Sequence, residues 1–102
     1  MATLHTINQS PSKSTSWHKM LRLISTGDSV LLIEDACYAC MDSRTIQELD
    51  SLIERHSITV YVLETDHTAR GLPKAMPWRK IGYDTFVALA SETDKTVAWC
   101  AE

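Results

Sequence analysis

The sequence predicts an α/β fold, a single three-layer α/β/α domain over residues 1–102 with a mostly parallel sheet of about five strands. Three observations lead there. Stripes of helical period alternate along the chain with short β-branched segments. The segment Ser29 to Glu34 carries Val30-Leu31-Leu32-Ile33 without a polar break, as a strand covered on both faces requires. No internal repeat, long linker or low-complexity stretch divides the 102 residues, a length that supports one hydrophobic core.

Taken in order, Leu4 to Asn8 mixes apolar and β-branched residues and is closed by the turn formers Ser10-Pro11-Ser12, which gives a first strand. Trp17, Met20, Leu21 and Ile24 then fall on one helical stripe, with Ser14, Thr15 and Ser16 as N-cap candidates and Gly27 as a left-handed C-cap. Ser29 to Glu34 is the expected sheet centre. Ala36 to Met41 reads as a short helix, with Glu34 and Asp35 capping the strand end before it. Thr45 and Glu48 make a capping box for a helix whose buried face is Ile46, Leu49, Leu52 and Ile53. Ile58 to Leu63 is the third strand by its β-branched and aromatic content. Gly71, Pro73 and Pro77 limit Glu64 to Lys80 to one or two helical turns near Asp66 to Arg70, and a short strand fits near Lys80 to Gly82. Tyr83, Phe86, Val87 and Ala90 form the last helical stripe, with Asp84 as its N-cap, and Thr96 to Cys100 returns to a strand. Strands that alternate with helices in this way are joined by right-handed crossovers.

Composition excludes several classes of function. Ten Lys and Arg against thirteen Asp and Glu give a net charge of −3, which disfavours direct binding to a nucleic-acid backbone. No uninterrupted apolar run exceeds the six residues of Ala36 to Met41, far below the roughly 20 residues of a membrane-spanning helix, so no membrane association is expected. Met1-Ala2-Thr3-Leu4-His5-Thr6 has neither a basic cap nor an apolar stretch of signal-peptide length, so the expected location is the cytoplasm. Three cysteines, an odd number, are read there as reduced thiols.

The main candidate for chemistry is Cys37-Tyr38-Ala39-Cys40, two thiols at a helix start after the carboxyl end of the presumed central strand. A helix N-terminus favours a thiolate at Cys37, whereas the nearby carboxylates of Glu34, Asp35 and Asp42 oppose one. The pair is therefore read either as structural or as a redox or sulfur-carrying site. Zinc lacks a second paired motif, and His5, His18, His56 and His67 are scattered, each read as a surface or hydrogen-bonded residue. Glycines at 27, 71 and 82 write neither a phosphate loop nor a dinucleotide fingerprint, so no cofactor is expected. Trp78, between Pro77 and Arg79, and Trp99 are the interface candidates, because Trp and Arg concentrate where partners bind; core packing is the competing role for each.

Five blocks stand out, Leu4-His5-Thr6-Ile7-Asn8-Gln9-Ser10-Pro11, Gly27 to Asp35 followed by Tyr38-Ala39, Ala69-Arg70-Gly71, Tyr83 to Leu89, and Val97-Ala98-Trp99, and together they resemble the TusB/DsrH family. In order and spacing they span nearly the whole chain. The resemblance implies a DsrE/F-like fold and a noncatalytic, accessory subunit of a cytoplasmic sulfurtransferase complex. Its partners would be TusC/DsrF-like and TusD/DsrE-like chains in a heterohexamer, with the sulfur-transferring cysteine on the D or E type subunit and a TusE/DsrC-like acceptor downstream. One branch of the family serves 2-thiolation of the tRNA wobble uridine and the other sulfur oxidation. Where the family commonly has Asp-Gly-Val or Asp-Gly-Ile before Tyr-Ala, this chain has Asp35-Ala36-Cys37, so Cys37 and Cys40 inherit no family role. Met20 stands where some sulfur-oxidation members carry a cysteine, which leans against that branch. The alternative to the accessory subunit is a thiol-active persulfide carrier or thiol-disulfide oxidoreductase that uses Cys37 and Cys40.

Overall fold

The structure, a computed structural model, describes residues 2–13 and 15–100. Its elements are β1 (Thr3–Ile7), α1 (Ser16–Leu23), β2 (Ser29–Leu32), a 3-10 segment (Glu34–Met41), α2 (Ser43–His56), β3 (Thr59–Leu63), α3 (Glu64–Ala69), β4 (Arg79–Ile81), α4 (Tyr83–Glu92) and β5 (Lys95–Trp99). The five strands form one sheet in the order β4-β3-β2-β1-β5, every pair parallel, with β2 at its centre as the unbroken apolar run predicts.

The register fixes which residues share a face. His5 lies beside Val30 and Val97, Ile7 beside Leu32 and Trp99, and Val30 beside Val60, so these side chains point to one side. There Ile7, Val30, Leu32, Val60 and Val62 pack with Trp17 and Met20 of α1, Cys37 of the 3-10 segment and Leu49 of α2. Alternate residues Leu4, Leu31, Leu63 and Ile81 pack on the other side with Phe86, Leu89 and Ala90 of α4. Topology accounts for the split. The steps from β1 to β4 move one way across the sheet and the return to β5 moves the other way, so right-handed crossovers require α4 on the opposite face from α1 and α2.

Several local expectations are corrected. Helix α2 starts at Ser43 rather than at a Thr45–Glu48 capping box, because Asp42 Oδ1 accepts from the amides of Arg44 at 3.1 Å and Thr45 at 3.3 Å. Thr45, one turn inside, is buried. Gly27 does not cap α1, which ends with Ile24 already extended. Its φ of +86° instead serves the turn into β2, where the Gly27 amide donates to the His56 carbonyl at 2.9 Å. Ser14 lies outside the described residues, and Thr15 takes the N-cap position of α1 with no capping bond from its side chain among the described residues. Asp84 likewise sits in the first turn of α4 behind Gly82 and does not cap it. β2 ends at Leu32, short of Glu34, whose left-handed φ of +49° turns the chain into the 3-10 segment.

The two faces differ in depth, and this gives a direct test. Leu49→Ala removes a fully buried side chain from the larger core and should cost about 2–5 kcal/mol in urea unfolding. Val87→Ala on α4, where the side chain is 65% exposed, should stay within about 0.5 kcal/mol of the parent.

Candidate functional site

Two regions bring chemistry-bearing side chains together. The first is the carboxyl end of β2 and β3, where the 3-10 segment meets α3. The Cys37 side chain is fully buried, and its Sγ–H donates to the Leu32 carbonyl at 3.8 Å. Burial, reinforced by the negative charge of Asp66, pushes the Cys37 thiol up to about 12, with Arg70 only partly offsetting this. Burial also raises Cys40. Both shifts disfavour the thiolate, the nucleophilic form, at neutral pH. The helix-start effect expected for Cys37 is overridden by loss of solvent.

The charges around this end are arranged differently from the sequence expectation. Asp35 does not cap the strand; its Oδ1 accepts from Arg70 Nε at 3.0 Å and pairs with Nη2 at 2.9 Å. Arg70 Nη1 also donates to the Asp66 carbonyl at 3.2 Å. Asp66 Oδ2 accepts from the Glu34 amide at 2.7 Å, which holds the left-handed residue in place. Asp66 and Arg70 thus clasp α3 to the 3-10 segment. Sequence reading missed Asp66 as a neighbour of Cys37 because only the packing of two non-adjacent elements brings them together. Among the described residues, no group of three or more His, Cys, Asp or Glu could hold a metal ion.

The second region is the outer edge of the sheet at β5. Trp99 Nε1–H donates to His5 Nδ1 at 3.1 Å, which requires a bare Nδ1 and places the imidazole proton on Nε2. That Nε2–H donates to Asp28 Oδ2 at 2.9 Å. Asp28 also accepts from the amides of Thr3 and Ser25, each at 2.9 Å. The His5 and Trp99 rings stack with centroids 6.3 Å apart at 22°. Burial alone would raise the Asp28 carboxyl, but the bonds from His5, Ser25 and Thr3 outweigh it and hold the group below its ordinary value. Beside this network lies a cleft of about 390 Å³ lined by Thr3, His5, Leu23, Ser25, Lys95 and Trp99 among others.

The two tryptophans singled out in the sequence therefore separate. Trp78 is only 6% exposed and joins the larger core, its indole nitrogen without a hydrogen-bond partner among the described residues. Trp99 is half-buried on the edge strand with one face on the cleft. His5 and Asp28 were not paired by sequence reading. The available signal was parity, since His5 alternates onto the same face as Ile7, and Asp28 stands immediately before the most apolar strand.

Comparison with known proteins places these features in a family context. The sequence profile described as DsrH like protein matches residues 9–96. Protein TusB of Erwinia tasmaniensis is 36% identical over 98 residues, covering 94% of this chain and 99% of that protein. Protein TusB of an Escherichia coli strain is 37% identical over 98 residues with the same coverage. The solution NMR structure of protein Tm0979 from Thermotoga maritima shares the fold, with a TM-score of 0.61 at 17% identity over 89% of this chain and 92% of that one.

Two outcomes follow from these geometries. At pH 8 a thiol titrating near 12 is thiolate in only about one molecule in ten thousand, so iodoacetamide should leave Cys37 unmodified until the protein unfolds, while exposed Cys100 reacts first. Peptide mass spectrometry gives the order. The lowered Asp28 carboxyl contributes stability that is complete above the unfolded aspartate value of about 3.9 and is lost as pH falls through the folded one. Asp28→Asn should cost about 1–3 kcal/mol at pH 7 and flatten the acid limb of stability below about pH 4, read by urea unfolding across pH.

Proposed function

The chain belongs to the DsrH-like family, and on that premise we propose that it is a noncatalytic, accessory subunit of a cytoplasmic sulfurtransferase complex that relays persulfide sulfur for 2-thiolation of the tRNA wobble uridine. The observation that carries the noncatalytic role is the state of Cys37, buried and held as a thiol, in the one paired-cysteine motif the chain has. Sulfur relay needs an accessible thiolate. The attacking thiolate takes the terminal sulfur of a donor persulfide, the donor S–S bond breaks, and the donor sulfur leaves as thiolate. Cys37 is set up for neither part of that exchange, and burial disfavours the thiolate at Cys40 as well.

On this reading the transferring cysteine belongs to a TusD/DsrE-like partner, and a TusC/DsrF-like chain completes a heterohexamer with two copies of each subunit. A TusE/DsrC-like acceptor is reached through the complex, and the chain itself contacts no nucleic acid. The acidic balance of the chain and the half-buried Trp99 on an open sheet edge support a role in protein contacts. Its relatives named Protein TusB favour the tRNA branch over sulfur oxidation.

Native mass spectrometry of the chain isolated gently from its own cells tests the proposal. The expected species is a hexamer with two further chain types, and Cys37→Ser with Cys40→Ser should leave its thiolation activity within about twofold of the parent, as for replacements outside the reacting groups. A monomer or homo-oligomer that acquires an extra sulfur on Cys37 or Cys40 would overturn it.

A further inference from the structure

β5 is an outer strand of the sheet, hydrogen-bonded to β1 on one side only. Its opposite backbone edge has no partner strand among the described residues. Val97 and Trp99 point to the α1 side, where Leu23 at the end of that helix is 66% exposed. A second cleft of about 300 Å³, lined by Lys19, Arg22, Leu23 and Trp99, shares Leu23 and Trp99 with the cleft beside His5. Together they make one groove along the strand with an apolar floor.

Its rim is cationic in a chain of net charge −3. Lys19 and Arg22 stand on α1 and Lys95 on β5. Arg22 and Lys95 have no ion-pair partner among the described residues. The one carboxylate among the described lining residues, Asp28, is buried and committed to His5 and two backbone amides. Trp99 is already oriented by its bond to His5, so little side-chain freedom is lost when something packs on it. The groove between α1 and α2 differs, because Arg44 and Arg55 share it with Glu48 and it holds no aromatic ring. The exposed pair Tyr83 and Val87 on α4 lies with Asp84 and has no cationic rim on its helix.

We propose that the groove along the β5 edge docks an acidic segment of a different protein chain, which seats an apolar side chain against Leu23, Val97 and Trp99 and sets its carboxylates on Arg22 and Lys95. The inference rests on the subunit reading above and names the surface and partner chemistry that reading lacks. A nucleic-acid strand fits less well, because among the described lining residues Trp99 is the one ring not buried that a base could stack on and three cations are few for a phosphate backbone.

The test uses the complex isolated from its own cells, treated with a zero-length carbodiimide that joins lysine to carboxylate. Peptide mass spectrometry should find Lys19 or Lys95 linked to Asp or Glu of another chain. Arg22→Glu with Lys95→Glu should lower recovery of that partner by about tenfold or more, whereas Arg22→Lys with Lys95→Arg should leave it near the parent level. Both sites are exposed, and an unchanged melting temperature shows that the variants fold. An intact complex whose links fall on α4 or α2, indifferent to the charge reversal, overturns the inference and leaves the subunit reading standing. Links between two copies of this chain, or ultraviolet crosslinks from Trp99 to RNA, overturn it in favour of those occupants. Failure of the parent chain to form any complex defeats the subunit reading itself.

Discussion

The Asp28 carboxylate is the junction on which the open side of this sheet depends. From the turn before β2 it reaches the backbone at the start of β1 through Thr3, the end of the α1 connection through Ser25 and, through His5, the indole on β5. Three segments distant in sequence are thereby joined by one buried, fully partnered charge. An unpaired carboxylate in this position would carry a large desolvation cost, and three charge-assisted bonds offset it. They also specify a tautomer, so the orientation of Trp99 follows from a choice made at the opposite end of the sheet.

The same physics that makes Asp28 an asset disfavours a thiolate at Cys37. Both groups are buried, but donors surround the carboxylate, whereas a backbone acceptor meets the thiol and the charge that acts on it most, Asp66, is of the wrong sign. Acidic groups respond to their donors as much as to their depth. A paired-cysteine spacing says nothing about either.

How far the sequence discloses the structure follows from the range of the interactions concerned. Apolar period and β-branching are local, and they revealed all five strands, the central place of β2 and the buried faces of α1 and α2. Helix starts were read less well, because capping is a competition among neighbouring polar groups. Asp42 wins at α2, and at α4 the candidate Asp84 is already inside the helix. The site was least legible. His5, Asp28 and Trp99 meet only after the chain returns across the sheet, and Asp66 reaches Glu34 only once α3 has packed. The separation of Trp78 from Trp99 depends on the irregular segment before β4, which folds one indole inward by contacts that no periodicity records.

The strand order carries a cost in time as well as in space. β1 finds one neighbour early, when β2 emerges, but its other neighbour is β5, which comes only after every other strand. On a ribosome the outer side of β1 therefore stands open through most of synthesis, with His5 and Asp28 waiting for an indole not yet made. Until then the nascent domain is a four-stranded sheet with a sticky central margin, and its last step is the insertion of a strand of high sequence separation, the kind of contact that forms slowly. The fold is therefore complete only once the strand made last covers that margin.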